Sequence, residues 1–402
     1  MYWSEGLRLE SEGAENNFVY AEWKASVKMT VVCLPNEIFK ISNSLFRMLV
    51  LLFLFLLGGQ ASAECATKLE WSTGWGQIFM NGKPLVLKGI SYFGFETDTF
   101  APHGLWSWNL DYFLDVIKNN NFNAIRVPFS LEMMRRNPGN LNINCQENPA
   151  ICKLKALELL DVFIDRAADR GLLIMLDNHR ITANGGISEL WYNGEYSEQD
   201  LIGIWRKLID RYKGKWNVFA IDLKNEPHGA ATWGNSNAAT DWNKAAERII
   251  NALSDFPGLF FVEGIAWSSQ LEGVHDHPIN TGREDLNKRV VYSPHCYGPS
   301  VYDRPEFNVP EFPNNLRRGG RWCSESGEGR HTAGSRDETW NNWMVEFMTK
   351  SCLTNTFYWC LNPNSEDTGG LLLDDWKTVD ARKADLTHRA QPNPTKFRWE
   401  NG

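Results

Sequence analysis

The stretch VFAIDLKNEPHG, from Val218 to Gly229, decides how this chain folds. Its apolar first half has the composition of a strand that is buried on both faces of a parallel sheet. The run ends abruptly at Asn225 and Glu226, and Pro227 then removes the backbone N–H that another ladder bond would need. The stretch therefore predicts a buried strand whose carboxyl end presents an amide and a carboxylate.

Apolar runs of this kind alternate with helical patterns along much of the chain. Segments such as LKALELLDVFIDRAADRG and QDLIGIWRKLIDRYKG have apolar residues at the spacing of an amphipathic helix. Alternating strands and helices indicate a parallel sheet, and about eight such units in one domain of this length predict a (β/α)8 barrel. No Gly-x-Gly-x-x-Gly turn follows the first run, which removes the main support for a dinucleotide-binding fold. The strand-like runs are PLVLKGIS, NAIRVPFS, LLIMLDNH, VFAIDLKNEP, GLFFVEGI, RVVYSPHCYG and NTFYWCLNP.

The composition excludes one class of partner. The chain has 402 residues, of which 43% are hydrophobic, and a formal net charge of -8. This balance leaves no basic face for phosphates and argues against nucleic acid as a partner. The 18 tryptophans are explained most simply by a large core, and their functional interpretation is a set of flat surfaces for sugar rings.

The segment MLVLLFLFLLGGQASAEC, from Met48 to Cys65, has the pattern of a secretory signal peptide. A basic residue precedes the apolar run Leu49–Leu57, and an Ala-Ser-Ala site follows it, which predicts cleavage after Ala63. The apolar run is too short to span a bilayer. Residues 1–47 are interpreted as an upstream extension of the reading frame, with Met29 or Met48 as the true start.

The predicted organisation has four parts: an upstream extension over 1–47, a signal peptide over 48–63, a (β/α)8 domain over 64–380 and an irregular tail over 381–402. The mature protein is expected to be a secreted monomer with no membrane attachment after signal cleavage.

Secretion permits disulfides. Cys145 and Cys152 bracket a short loop and are candidates for a pair, whereas Cys296 and Cys360 lie in apolar runs and are expected to be buried thiols. The pairing of the remaining mature cysteines is left open for Cys65, Cys323 and Cys352.

Polar and ionisable residues recur at the carboxyl ends of the predicted strands. In a (β/α)8 barrel these ends meet at one mouth, where the chemistry of such barrels lies. A single histidine there is more often structural, but several polar residues that converge favour a site. The strand-end residues are Arg126, Asp177, Asn178, His179, Asn225, Glu226, Glu263, His295, Tyr297 and Trp359.

These residue types favour one chemistry over two others. His179, His295 and Glu226 have neither H-x-H nor H-E-x-x-H spacing, so no metal or other cofactor is expected. No G-x-S-x-G sequence is present for a serine nucleophile. Two carboxylates among aromatic residues fit glycoside hydrolysis, in which one protonates the leaving oxygen and the other attacks the anomeric carbon.

DLKNEPHG resembles the Asn-Glu-Pro signature of glycoside hydrolase family 5, which contains many endoglucanases. The similarity to secreted cellulases of that family extends over roughly Trp71 to Val379. It implies a (β/α)8 enzyme that cleaves a β-glucan with retention of configuration. Further similar segments, in the family's order and spacing, are KGISYFGFET, HGLWSWN, NAIRVPFS, LDNHR, YSPHCYGPSVY, FPNNL and NPNSEDTGGLLLDDW.

The resemblance implies a role for each matched residue. Glu226 matches the general acid/base, Asn225 the amide that binds the sugar 2-hydroxyl, and Arg126 the arginine that supports the nucleophile electrostatically. The structural alternatives are a core-edge ion pair for Arg126 and a packed core aromatic for Trp359. The residues that match groups around the sugar before the cleavage point are His179, His295, Tyr297 and the stacking residue Trp359.

The nucleophile region departs from the family pattern. The family has a Gly-Glu-Phe-Gly type of motif at the end of the seventh strand, and the matching place here reads RWCSESGEGRHTAGSRDETW. Glu325 fits best, with Glu328 as the alternative. Only RRGGRWCS stands where a helix and an apolar strand are expected, short of the minimum of about 10–12 residues for a crossover. The sequence therefore predicts that the sixth helix and seventh strand are shortened or missing.

The sequence thus predicts a retaining endo-β-1,4-glucanase that acts on cellulose-type β-glucans through Glu226 and Glu325. One alternative is a related family 5 glycosidase such as an endo-β-1,4-mannanase. The other is an inactive truncated product that still binds glucan. Hydrolysis of carboxymethylcellulose against galactomannan separates the first two.

Overall fold

The computed structural model describes residues 69–303, 325–327, 334–351, 353 and 355–398, and the isolated pair 21–22. This pair forms strand β1 (Ala21–Glu22), which lies parallel to β14 (Phe397–Arg398). The predicted signal peptide lies outside the described residues, as does almost all of the predicted upstream extension. Within the described ranges, no helix is long and apolar enough to cross a membrane.

One parallel sheet forms the centre of the molecule. Its described segments are β5 (Lys88–Ser91), β6 (Ala124–Ser130), β7 (Leu173–Arg180), β8 (Val218–Asp222), β9 (Leu259–Glu263), β10 (Val290–Ser293), β11 (His295–Tyr297), β12 (Glu325–Gly327) and β13 (Thr356–Trp359). They are ordered β10-β9-β8-β7-β6-β5-β13-β12-β11. The two outermost segments, β10 and β11, are separated in the chain only by Pro294. The sheet therefore curls back on itself, as the predicted (β/α)8 barrel requires.

Helices cover the outside of this sheet. Their apolar faces, with the outward side chains of the strands, form the main core. The predicted helix ends have physical causes: the fourth helix starts at a capping box between Ser197 and Asp200, and Gly171 follows the third with a left-handed φ of 64°. The helices are α1 (Leu110–Asn119), α2 (Leu131–Arg136), α3 (Ala156–Asp169), α4 (Glu198–Tyr212), α5 (Trp242–Ala252), α6 (Glu284–Asn287), α7 (Arg336–Lys350) and α8 (Ala381–Ala390).

A small antiparallel sheet packs against the amino-terminal end of the barrel. It consists of β2 (Trp71–Gly74), β3 (Gln77–Met80) and β4 (Lys83–Leu85). Trp71 packs against Phe219 from inside the barrel, with ring centroids 5.4 Å apart. This contact places the small sheet at the end of the barrel opposite the strand-end residues that were predicted to form a site.

The prediction of an irregular tail over 381–402 is wrong for its first half. Helix α8 lies there, and Leu386 packs against Val345 and Met348 of α7. Phe397 is also buried, in the cluster at the amino-terminal end of the barrel. The helix escaped prediction because few of its side chains are apolar.

A strand stands in the seventh position of the barrel. Segment β12 pairs in parallel with β11 on one side and with β13 on the other. The seventh strand is therefore present, over three described residues. Residues 304–324, where the predicted shortening of the sixth helix falls, lie outside the described residues, so that part stays a prediction.

The cysteines follow the predictions in two of three cases. Cys145 and Cys152 form a disulfide, and Cys360 is a buried thiol. The prediction of a thiol at Cys296 is wrong, because this residue is disulfide-bonded, and its partner lies outside the described residues. An apolar neighbourhood cannot separate the two states, since a thiol and a half-cystine are both small apolar groups.

Candidate active site

The backbone turns sharply where β8 ends. Glu226 has a left-handed φ of 51°, which side chains other than glycine seldom adopt. Its N–H donates to Glu263 Oε2 over 2.6 Å, and the preceding N–H, of Asn225, donates to the carbonyl of Asn178 over 3.0 Å. These hydrogen bonds to neighbouring strands stabilise the strained backbone at Glu226. Such strain persists only where the surrounding structure stabilises it. The corner sets the carboxyl group of Glu226 at the mouth of the barrel.

His295 connects Glu226 to a second carboxylate. Its Nδ1 lies 2.7 Å from Glu226 Oε1, and its Nε2 lies 3.2 Å from Glu263 Oε1. The side chain of Glu226 is 12% exposed, whereas those of His295 and Glu263 are almost completely buried. The imidazole therefore fixes one oxygen of the Glu226 carboxyl, and the slight exposure leaves Glu226 reachable from the mouth.

Arg126 forms ion pairs with acidic residues from three strands. Its Nη2 lies 3.0 Å from Asp222 Oδ2, 3.0 Å from Glu263 Oε1 and 3.2 Å from Asp177 Oδ2. The same nitrogen donates to Asn225 Oδ1 over 2.8 Å. A guanidinium stays charged at every accessible pH, so this network is permanent. Arg126 is thus a buried ion-pair centre directly beneath the strand ends.

Only the oxygen of the Asn225 side-chain amide is hydrogen-bonded. Its Oδ1 accepts from Arg126, whereas its Nδ2 is buried and has no hydrogen-bond partner among the described residues. A buried donor left without a partner is costly, so it requires a partner such as a ligand or a water molecule. The amide is therefore oriented by Arg126 with its N–H groups available.

Burial shifts the proton affinity of two further groups. The pKa of Asp222 is raised well above its usual range by burial and by the charge of Glu263, although Arg126 opposes the shift. The pKa of Lys224 is lowered to about 8 by burial, although the surrounding carboxylates oppose this shift. Asp222 thus holds a proton to a higher pH than an exposed aspartate does, and Lys224 releases one at a lower pH than an exposed lysine does.

Sequence reasoning missed several of these groups. Asp222 and Lys224 were not singled out, and Glu263 was placed among the strand-end residues without a role, although all three lie at the carboxyl ends of apolar runs. An acidic residue that ends a buried strand was the available signal, as in FAID and FFVE. Their function depends on partners from other strands, which the sequence does not reveal.

Trp359 lies in a stack of rings. Its ring is 5.3 Å from that of His179 and 5.5 Å from that of Phe93, with interplanar angles of 5° and 7°. His179 Nδ1 is 2.7 Å from Asp177 Oδ2, which fixes the imidazole. The structure therefore brings together His179 and Trp359 as predicted, and adds Phe93, which the sequence analysis did not single out.

Further aromatic residues continue from this stack. His103 contacts Phe93 and also Trp106, with ring centroids 5.0 Å and 5.2 Å apart, and Trp106 contacts Trp376 at 5.0 Å. Burial lowers the pKa of His103 to about 4, so this ring is neutral at ordinary pH. A row of uncharged rings thus leads away from Trp359.

One more aromatic ring lies next to the Glu226 corner. Trp267 is 52% exposed and stacks on His228, with ring centroids 3.5 Å apart. Its N–H donates to the carbonyl of Pro227, and His228 Nδ1 lies 2.8 Å from the carbonyl of Glu226. Trp267 therefore offers a flat surface immediately beside the candidate acid.

The last two predicted residues lie on neighbouring strands. Tyr297 is half-buried on β11, with its ring 6.5 Å from that of His295. Glu325 begins β12, and its backbone is in register with that of His295. The side chain of Glu325 and all of Glu328 lie outside the described residues, so the choice between them stays a prediction.

Comparisons with known proteins agree with this geometry. The family model described as Cellulase (glycosyl hydrolase family 5) matches residues 80–365. An endoglucanase of Paenibacillus polymyxa is 41% identical over 336 residues, which cover 77% of this chain and 83% of the relative.

Two solved structures show the same similarity. The catalytic domain of the major endoglucanase from Xanthomonas campestris pv. campestris is 37% identical with a TM-score of 0.74, and the match covers 80% of this chain and 99% of that one. A variant of the endocellulase from Pyrococcus horikoshii in complex with cellotetraose is 34% identical with a TM-score of 0.74, over 80% of this chain and 98% of that one.

Proposed function

The chain belongs to the cellulase family, glycosyl hydrolase family 5, and we propose that it is a secreted endo-β-1,4-glucanase that hydrolyses β-glucans with retention of configuration. The observation that carries this proposal is the buried Glu226 corner, with its carboxyl held by His295 at 2.7 Å at the mouth of a family 5 barrel. Relatives named endoglucanases support the activity, and the extracellular Xanthomonas campestris relative supports secretion.

In the first chemical step, Glu226 acts as the acid. The protonated carboxyl of Glu226 gives its proton to the glycosidic oxygen while a carboxylate, assigned to Glu325, attacks the anomeric carbon. The bond between that carbon and the oxygen breaks, and the sugar on the leaving side departs as an alcohol. Glu226 is then ionised, and His295 stabilises it through the contact at Oε1.

In the second step, Glu226 acts as the base. Its carboxylate takes a proton from water, and the oxygen of that water attacks the same carbon. The ester bond to Glu325 breaks, which frees the carboxylate and leaves Glu226 protonated again. Each attack inverts the carbon once, so the product retains the original configuration.

The surrounding residues are assigned to binding. Arg126 orients the amide of Asn225, whose Nδ2 donates to the sugar 2-hydroxyl, and it supports the charge of the nucleophile. Trp359 provides the stacking surface for the sugar before the cleavage point, bordered by His179. The row of rings beyond Phe93 extends this surface for further sugars of a β-glucan.

The sixth helix is proposed to be shortened. RRGGRWCS leaves little chain for a family-type helix and apolar strand. We therefore expect this side of the barrel to be the least stable.

The proposed function is tested with the purified chain from residue 64 onward. A fall in viscosity of carboxymethylcellulose ahead of the release of reducing ends indicates internal cleavage, and galactomannan serves as the competing substrate. Glu226→Gln should abolish the activity, whereas Glu346→Gln, on the exposed surface of α7, should leave it unchanged. Hydrolysis of galactomannan alone would replace the glucanase by a mannanase.

A further inference from the structure

Lys224 has a feature that the catalytic steps above do not use. Its side chain is 1% exposed, and its Nζ donates to the backbone carbonyl of Asn225, next to Glu226. None of the ion pairs among the described residues includes Lys224. It is therefore a buried ammonium group with no dedicated counter-ion among the described residues, two residues before the strained corner at Glu226.

Buried acidic groups surround this ammonium group. Arg126 contacts three of the acidic groups and is their nearest cation. Among the charged groups, the carboxylates of Glu263 and Glu226 raise the pKa of Lys224 most. Lys224 thus adds a second positive charge to a cluster that is otherwise dominated by carboxyl groups, namely Asp177, Asp222, Glu226 and Glu263.

We propose that Lys224 is a positioning residue whose ammonium charge sets the pH range in which Glu226 works as an acid; this inference rests on the hydrolase function proposed above. The charge acts through Glu226 and not on the substrate. The ionised form of a carboxyl group is favoured by a nearby cation. Lys224 therefore keeps Glu226 from holding its proton too tightly for transfer to the glycosidic oxygen.

A purely structural role explains less of the geometry. Holding the Asn225 carbonyl requires only a hydrogen-bond donor, which a neutral amide such as glutamine also supplies. Burial of an ammonium group is costly, and here it lowers the pKa of Lys224 to about 8. A chain that needed only the hydrogen bond would avoid this cost, so the charge itself is the useful property.

The sign of the effect follows from the charged groups around Lys224. They come from β6, β7, β8, β9 and β11, and all remain in a Lys224 variant. Removal of the ammonium charge raises the pKa of Glu226, so the alkaline limit of kcat/KM moves upward by on the order of one pH unit. The charges that act on Lys224 are those of Asp177, Asp222, Glu226 and Glu263, and of these carboxylates Arg126 contacts Glu263 and His295 contacts Glu226.

Three variants separate the charge from the hydrogen bond. Lys224→Arg keeps both, Lys224→Gln keeps a donor without the charge, and Lys224→Met keeps neither. The pH dependence of kcat/KM is measured with cellotetraose, which carries no charge of its own. Both neutral variants should show the upward shift of the alkaline limit, and the arginine variant should match the native chain.

The outcomes distinguish this inference from the proposed function. A native chain that hydrolyses cellotetraose with an alkaline limit unmoved in both neutral variants overturns the role of Lys224 and leaves the hydrolase intact. A shift in the methionine variant alone assigns the effect to the hydrogen bond and also overturns it. If the native chain does not hydrolyse cellotetraose, the proposed function fails. The titration of ¹³C-labelled Glu226 carboxyl, assigned with Glu226→Gln, then tests the same shift without turnover.

Discussion

Glu226 is held by its backbone and by its side chain at the same time. Its N–H and its Oε1 are bound by different residues, Glu263 and His295, and these two also contact each other at 3.2 Å. A closed set of three contacts leaves the carboxyl little freedom to rotate. This is the pre-organisation that general acid catalysis needs, because the acid must meet the glycosidic oxygen within hydrogen-bond reach.

Glu226→Gln should affect substrates according to their leaving group. Cleavage of cellotetraose requires protonation of a poor leaving group, so the variant should lose at least about a hundredfold in kcat. An aryl cellobioside with an acidic phenol leaves without protonation, so its first step should be largely retained and seen as a burst of phenol. Equal losses on both substrates would contradict the assignment of Glu226 as the acid.

At the scale of elements, ion pairs join consecutive helices around the barrel. Helices α1 and α3, α3 and α4, and α4 and α5 are each connected by at least one arginine–carboxylate contact. Each partly exposed pair contributes little by itself. The contacts include Arg166–Asp111, Arg170–Asp115, Arg211–Asp161 and Arg248–Glu198.

Lys88, at the start of β5, should lower stability at neutral pH. It is 3% exposed, and burial lowers its pKa to about 8 from 10.5. Because the folded-state pKa is the lower one, the destabilisation is complete below about pH 8 and disappears as the pH rises toward 10.5. Lys88→Met should therefore raise the free energy of unfolding at pH 7 by roughly 1–3 kcal/mol, less the lost bond to the Asn120 carbonyl.

Urea unfolding at pH 7 and at pH 10.5 checks the Lys88 prediction. The gain should shrink at the higher pH, where the native lysine is neutral in the folded chain and about half neutral in the unfolded chain. Lys83→Met, at an exposed position of β4, is the matched control and should change stability little at either pH. A gain of equal size at both pH values would show that the effect comes from packing and not from charge.

The elements that could be predicted from the sequence are those whose buried residues recur with the spacing of a helix or a strand. The amphipathic pattern and capping box of α4 are local, so they identify this helix without any tertiary information. Helix α8 is held mainly through Leu386 and was missed. Predicted site residues such as His295 stand at strand ends, whereas the importance of Lys224 depends on carboxylates from other strands. The disulfide of Cys296 was not predicted, because an apolar run is compatible with a thiol and with a half-cystine.

At the scale of the whole molecule, the barrel sets the two candidate glutamates on different strands. Glu226 follows β8, and Glu325 begins β12, with the strand that contains His295 next to β12. The register places the backbone of Glu325 beside that of His295, whose ring reaches Glu226. This arrangement is consistent with two carboxyl groups that face each other across one sugar.

Hydrolysis should retain the anomeric configuration. A carboxyl separation of about 5–5.5 Å leaves room for direct attack by the second carboxylate but not for an intervening water. Proton NMR of freshly formed product should show the β-anomer first, followed by slow mutarotation, whose rate is measured separately on the isolated sugar. First appearance of the α-anomer would rule out Glu325 as a nucleophile.

The chain before the nucleophile should limit both stability and turnover. Between Leu316 and Ser324 the chain offers few residues that suit a family-type helix and apolar strand. We expect an insertion there of a family-type helix and apolar strand to raise the melting temperature. The control is a flexible Gly-Ser insertion of equal length, which lengthens the crossover without supplying new core contacts.

Turnover should rise with stability in the inserted variant. The backbone that carries Glu325 lies in β12, so the support of this strand sets the position of the proposed nucleophile. Misplacement of a reacting group by about 1 Å costs about a hundredfold in rate, and a longer strand reduces such misplacement. The helix-and-strand insertion should therefore increase kcat on carboxymethylcellulose about tenfold or more, and the Gly-Ser insertion should not. If the unaltered chain unfolds cooperatively and hydrolyses as fast as the inserted variant, the chain before the nucleophile is sufficient as it stands.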